Sequence, residues 1–223
     1  MTIATHATTA PLGDQAILVR LGTVIEPEVA DSVARLAQVL EARDIAGVSE
    51  IVCSYASLAL DLEDPSILDA VMHEVREVLE ESPSAPGGSA ATARPPREHV
   101  IRVRYNGVDI AESADLLALS VRELIQRHCA RPYRAFAVGF VPGFAYLGVL
   151  DEKLRLPRRA RPRERVPAGS VAIAGAQTAV YPFATPGGWR LIGTTDVMLF
   201  DPDRDEAALI AVGDTVRFED VDG

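Results

Sequence analysis

The sequence predicts a mixed α+β protein divided between two units, and three observations carry that prediction. Residues 1–81 combine short apolar runs with two long stretches of helical periodicity. Residues 98–223 are mostly short apolar runs punctuated by Gly and Pro. Between them, 82–97 is rich in Pro, Gly, Ser and Ala and has no apolar period. A segment of that composition cannot bury enough surface to offset the entropy of ordering, so it reads as a linker.

In the first unit, Ala16–Leu21 is a short apolar strand. Residues 26–43 form a helix: Pro27 suits the first turn, and Val29, Val33, Leu36, Ala37 and Leu40 make an apolar stripe. Ser49–Cys53 and Ser57–Leu62 pair as strands around Tyr55. Pro65 opens a second helix that runs to Glu81, with Ile67, Leu68, Val71, Val75, Val78 and Leu79 inward. The order β-α-β-β-α is that of a ferredoxin-like unit lacking an evident last strand.

In the second unit, Val100–Tyr105 alternates as a strand, and Ser120-Val121-Arg122-Glu123 is a capping box that starts a helix through Cys129. Strands follow at Tyr133–Phe140, Ser170–Ala174, Ala179–Tyr181, Trp189–Thr194, Met198–Phe200 and Thr215–Val221. Many short strands separated by turn residues predict a barrel or sandwich.

Composition narrows the function. The net charge is −10, which argues against nucleic acid, whose binding draws on neutralised phosphates. The charge is uneven: residues 1–88 carry 15 acids and 4 arginines, the remainder 17 acids and 18 basic residues. No apolar run reaches the roughly 20 residues of a membrane span, and no basic-then-apolar leader opens the chain. A cytoplasmic protein is expected. Cys53, Cys129 and the four histidines (6, 73, 99 and 128) are scattered, so no metal site is expected.

Three segments stand out. Residues 153–165, KLRLPRRARPRER, hold seven basic residues and one acid. They are either a solvated basic loop that docks an acidic surface, or a site for carboxylate or phosphate, which the guanidinium fork binds in bidentate fashion. Pro157 and Pro162 stiffen the strip. Residues 138–148, VGFVPGFAYLG, make a shaped turn rather than a helix or long strand. Its aromatics are either core residues or the wall of an apolar pocket. Gly175–Thr178, Tyr181-Pro182 and Pro186–Trp189 form a Gly-rich hairpin capping the barrel, or a set of neutral donors and acceptors for an amide. No GxxxxGK[ST], GxGxxG, GxSxG or HExxH is present, and Ser170 is not in a nucleophile-elbow setting. Catalytic residues stay unassigned, and part of any machinery belongs to another chain.

Gly139–Leu147, Pro157-Arg158-Arg159, Pro162-Arg163, Val166–Ile173, Gln177-Thr178, Tyr181-Pro182 and Pro186–Trp189 occur together in one order and spacing. That pattern resembles the family of 5-oxoprolinase B subunits, which also includes KipI and the first of the allophanate hydrolase subunits, with carboxyltransferase subdomains C and D. The likeness runs along the whole chain and is densest over 99–221. It implies a ferredoxin-like N-terminal domain and a cyclophilin-like β-barrel. It also implies the C and A subunits of 5-oxoprolinase as partners, and ATP-dependent opening of the lactam of 5-oxoproline to glutamate. ATP belongs to the complex, with the chain that binds it left open. Inhibition of a histidine kinase and allophanate hydrolase or urea carboxylase chemistry are the alternatives the family offers. One segment departs from it: where members carry Gly-Gly and Pro-Asp-Leu after the first barrel strand, this chain has Tyr105-Asn106-Gly107-Val108-Asp109-Ile110. The likeness assigns that loop no role.

Residue chemistry then gives the substrate-binding set. Arg158, Arg159 and Arg163 take carboxylate or phosphoryl oxygens, while Tyr146, Gln177, Thr178 and Tyr181 orient an amide. Phe140, Phe144 and Trp189 exclude water, and Gly187 and Gly188 let the chain approach. The arginine strip and the aromatic turn are expected to converge on a hollow of the barrel.

Overall fold

The computed structural model describes residues 7–24, 26–81 and 96–222. Residues 82–95, most of the expected linker, lie outside the described residues. The chain divides into two compact units at Pro95/Pro96.

The first unit is a four-stranded antiparallel sheet with two helices. Its elements are β1 (Thr8–Pro11), β2 (Ala16–Arg20), α1 (Pro27–Arg43), β3 (Val48–Cys53), β4 (Ser57–Leu62) and α2 (Leu68–Glu81), in sheet order β1-β2-β4-β3. Pro27 stands in the first turn of α1, and Asp64 caps a 3-10 turn at Pro65–Ile67 that leads into α2. Ile17, Val19, Leu58 and Leu60 of the sheet meet Val33, Leu40, Val71, Val75 and Val78 of the helices in one core. The edge strand that the sequence does not show after α2 is supplied by β1, ahead of β2. Its sequence, TTAP, has no apolar alternation, and Pro11 is tolerated because an edge strand leaves some N–H positions unpaired.

The second unit contains β5 (Glu98–Val103), α3 (Ile110–Leu116), α4 (Val121–Cys129), β6 (Tyr133–Val138), β7 (Ala145–Gly148), β8 (Arg163–Val166), β9 (Ser170–Ala174), β10 (Gln177–Val180), β11 (Thr185–Gly187), β12 (Arg190–Thr194) and β13 (Thr215–Asp220). Seven of these strands form one sheet in the order β12-β9-β10-β7-β6-β13-β5. Its two edges nearly close on each other: Arg104, just past β5, exchanges both main-chain hydrogen bonds with Thr194, at 2.9 and 2.8 Å. This nearly closed sheet is consistent with a cyclophilin-like barrel. Closure removes the exposed edges that an open sheet must otherwise protect.

Alternation along the strands sorts residues to two faces. Inside lie Ile101, Val103, Tyr133, Ala135, Leu147, Val171, Ile173, Val180, Ile192, Val216 and Phe218. The opposite face carries a second cluster, with Ala172, Ala174, Ala179 and Tyr181 under Phe144, Trp189 and Val166. The Ser120 capping box forms as the sequence predicts, with both reciprocal hydrogen bonds present. Residues 198–200 make no strand, only a bridge from Phe200 to Ala208. The aromatic turn is shorter than expected, because Ala145–Gly148 leave it as β7. Part of the basic strip is likewise a strand, β8, paired with β11.

Candidate functional site: an arginine-rimmed aromatic shelf

The aromatic turn does bring its rings together. Phe144 is buried and meets three rings edge-on: Tyr146 at 4.8 Å, Tyr181 at 5.3 Å and Trp189 at 5.7 Å. Each such pair adds about 0.5–1.5 kcal/mol beyond the area it covers. Phe140 joins from outside, edge-on to Phe144 at 5.5 Å yet 61% exposed. Two positive φ values shape the turn. Gly143 has φ +77°, and a Cβ there would stand 2.8 Å from Cβ of Phe200. The second falls on Phe140, φ 76°, rather than on Gly139, so a bulky residue is held in backbone space that favours glycine.

Phe144, Tyr181 and Trp189 are too tightly packed to wall a cavity; they are a floor. Gly187 lies directly on Tyr181, where an added Cβ would come within 2.4 Å of the hydroxyl. Burial raises the Tyr181 pKa, with the Trp189 main chain hydrogen-bonded to its hydroxyl and Arg158 and Arg163 close enough to oppose the shift. Burial also raises Tyr146, again opposed by Arg158. Arg158 is exposed, and its guanidinium sits 5.9 Å from the centre of the Trp189 ring. Among the described residues no carboxylate pairs with it.

The other arginines are engaged differently. Arg159 Nη1 donates to Asp109 Oδ1 at 2.8 Å, and Arg163 Nη2 donates to the same oxygen at 2.6 Å. Asp109 Oδ2 accepts the main-chain N–H of Leu191 at 2.8 Å. Burial pushes this carboxyl up, but Arg163, the Leu191 N–H and Arg159 together outweigh it and hold Asp109 below the usual carboxylate range. Glu112 continues the chain, with Oε2 3.3 Å from Arg159 and Oε1 3.3 Å from Arg190. Arg190 is itself nearly buried and donates from Nε to the Pro157 carbonyl. Gly188 fits the same junction, its carbonyl accepting the Arg159 N–H at 2.7 Å.

The loop without an assigned role is therefore the anchor of the strip. Gly107 is required there, since a Cβ would come within 2.3 Å of the Leu191 carbonyl oxygen. Asp109, Glu112 and Arg190 are the residues that sequence reasoning did not find. A lone acid in a loop carries no motif, and Arg190 lies one step beyond the Gly-Gly-Trp run.

The aromatic turn and the arginines meet, but not in a hollow of the barrel. The interior is filled by apolar side chains; the shelf lies on the outer face of β7, β9 and β10. Thr178 is the residue this moves out of the set. Neighbours on a strand point oppositely, so Gln177 and Tyr181 share the shelf face with Ala179 while Thr178 turns inward. Thr178 is fully buried, donates to the Ala172 carbonyl at 3.0 Å and lies 2.9 Å from His128 Nε2. With the Thr178 proton committed, His128 Nε2 must donate, leaving Nδ1 to accept from Tyr105 at 2.7 Å. Burial pushes the His128 pKa down to about 3, so the ring is a neutral rivet inside the barrel.

Fold and site together define a class: a two-unit α+β chain whose nearly closed sheet carries an arginine-rimmed shelf on its outer face. The model of the carboxyltransferase domain, subdomain C and D, matches residues 7–210. The 5-oxoprolinase B subunit of Escherichia coli O157:H7 is 40% identical over 209 residues, 93% of each chain. That of Bacillus subtilis (strain 168) is 34% identical, covering 93% of this chain and 90% of its own. The chain belongs to this family. In structure it matches TTHA0988 with TM-score 0.78 and 36% identity, over 94% of this chain but only 40% of that longer one. The Kluyveromyces lactis urea carboxylase matches with TM-score 0.77 at 16% identity, over 96% of this chain and 22% of its own, which is a likeness of fold alone. Among the described residues no helix is long and apolar enough to cross a membrane, and no cluster of His, Cys, Asp and Glu is arranged to hold a metal.

Proposed function

We propose that this chain is the B component of an ATP-dependent 5-oxoprolinase, acting with its C and A components to open the lactam of 5-oxoproline to glutamate. The observation that carries the reading is 40% identity with a 5-oxoprolinase B subunit over nearly the full length of both chains. Its first unit is the ferredoxin-like domain of such a protein, with the last strand supplied from the N-terminal side.

The lactam is a stable amide. ATP would supply a phosphoryl group to the carbonyl oxygen with release of ADP. Water would then add at the activated carbon, phosphate would leave, and the ring C–N bond would break to give the amine and carboxylate of glutamate. On this chain Arg158, over Trp189, takes substrate oxygens, with Tyr146 against the same ring; Gln177, on the same face of β10, orients the amide. The aromatic floor keeps water away from below and so strengthens each polar contact above it. Phe140 and Phe183 remain exposed near the turn, and Phe183 lies against Phe200, which abuts Gly143. Apolar surface of that kind is what a partner chain covers.

The reading is tested by ATP-coupled 5-oxoproline turnover with this chain and its A and C homologues, purified apart and then mixed. The expected result is turnover by the mixture and none by this chain alone. Absence of turnover by the full mixture overturns it.

A further inference from the structure

We propose that the arginine chain beside the shelf is a binding site for one small oxyanion, a carboxylate or phosphate, held by Arg163, Arg190 and Arg158. Three observations carry the inference. First, Arg190, Glu112, Arg159, Asp109 and Arg163 alternate in sign along one chain of contacts, three guanidinium groups against two carboxylates, which leaves one positive charge in excess. Second, the donors Arg159 Nε, Arg163 Nη1 and Arg190 Nη1 are enclosed without a hydrogen-bond acceptor; Arg190 Nη1 touches Glu112 Oε1 at 3.3 Å only as an ion contact. Enclosed charged donors without acceptors are costly, and proteins keep them where a ligand supplies the acceptor. Arg190 is nine-tenths buried, so its Nη1 meets an anion only when the guanidinium turns toward the shelf, exchanging an unpaired enclosed donor for a paired one. Third, Arg163 pairs across β8 and β11 with Gly187, the residue that lies on the Tyr181 hydroxyl, and Arg158 stands over the neighbouring Trp189 ring. The excess charge therefore lies against the aromatic shelf.

Asp109 is the positioning residue of this arrangement. It holds Arg159 and Arg163 on one oxygen and fixes the start of β12 through the other. The strip is thus divided by function: Arg159 is structural, while Arg158 and the spare faces of Arg163 and Arg190 receive the anion. The site shares the shelf with the oxoprolinase reading and rests on it only for the identity of the carboxylate. Anion binding by the isolated chain and turnover by the complex can fail separately.

The protein contains one tryptophan, Trp189, and it lies under Arg158, so its fluorescence reads the site directly. The full-length chain is titrated at constant ionic strength with inorganic phosphate, with 5-oxoproline, with glutamate and with chloride. The expected result is a saturable change with phosphate or a carboxylate and none with chloride, accompanied by a raised melting temperature. Arg163→Lys keeps the charge but not the fork, and is expected to weaken binding about tenfold or more, as is Arg190→Lys. Response to phosphate alone assigns a phosphoryl group; response to the organic acids alone assigns the substrate carboxylate. Absence of any saturable response in the unaltered protein overturns the proposal, whether or not the variants fold. So does unchanged affinity in both lysine variants.

Discussion

The two faces of β10 are made by adjacent residues and are finished to different degrees. Inside, Thr178 and Val180 meet a full core, and the polar chain from Cys129 through Tyr105, His128 and Thr178 to the Ala172 carbonyl leaves His128 with both ring nitrogens partnered. Outside, Ala179 and Tyr181 sit under a layer one residue thick, with exposed rings at its border and arginine donors unmatched beside it. Within a single strand, then, the closed face is a finished core, and the open face is the one to which the proposed function assigns recognition. Buried polar groups that are fully partnered rigidify a fold, whereas those left partly unmatched are costly and call for an explanation.

The largest effect that can sharpen this comparison comes from Asp109. Asp109→Ala strands Arg163, leaves Arg159 with Glu112 alone and frees the Leu191 N–H, and is expected to cost about 3 kcal/mol of stability by urea unfolding. A loss near zero would mean that the arginine chain does not organise the outer face.

The inner face has its own signature in pH. His128 titrates near 3 when folded, against an ordinary value of 6.5, so the unfolded chain takes up the proton first. Its contribution is complete above pH 6.5 and is lost as pH falls toward 3, at about 1.4 kcal/mol per unit. Asp109, with its lowered carboxyl, begins to lose its share only below about pH 4. Unfolding free energy measured from pH 7 to 4.5 is expected to fall in the native protein and to fall less in His128→Phe. Equal slopes would remove His128 from the account.

Smaller still is Phe140→Gly. It relieves a φ of 76° but gives up one edge-on ring contact, two terms of about 1 kcal/mol that oppose each other. Melting is expected to move little while affinity for the C component falls, as read by co-purification. Retained affinity would place the partner elsewhere.

Much of this architecture is legible in the chain itself. The helical stripes of α1 and α2 and the Ser120 capping box predict elements that form where expected. The edge strand β1 is not legible, because TTAP has no alternation and contains proline; only its neighbour β2 makes it a strand. The shelf is half legible. The aromatic turn and the strip are visible as composition, and Trp189 and Arg158 do meet. Thr178 illustrates the limit: grouping Gln177, Thr178 and Tyr181 by chemistry overlooks the period of two that sends Thr178 inward. Asp109 illustrates another, since its importance comes from partners 50 to 82 residues away.

The central claim is tested most directly by one crossed comparison in the reconstituted complex, 5-oxoproline turnover measured beside melting temperature for Arg158→Ala and Thr178→Val. Arg158→Ala is expected to lower kcat/KM about tenfold to a hundredfold with little change in melting, because its exposed contact adds about 0.5–1 kcal/mol to stability while a charged hydrogen bond to substrate is worth more. Thr178→Val is expected to do the reverse, lowering the melting temperature while turnover holds. Full activity in Arg158→Ala, or lost turnover in a stable Thr178→Val, would contradict the division of the sheet into a stabilising interior and a working outer shelf.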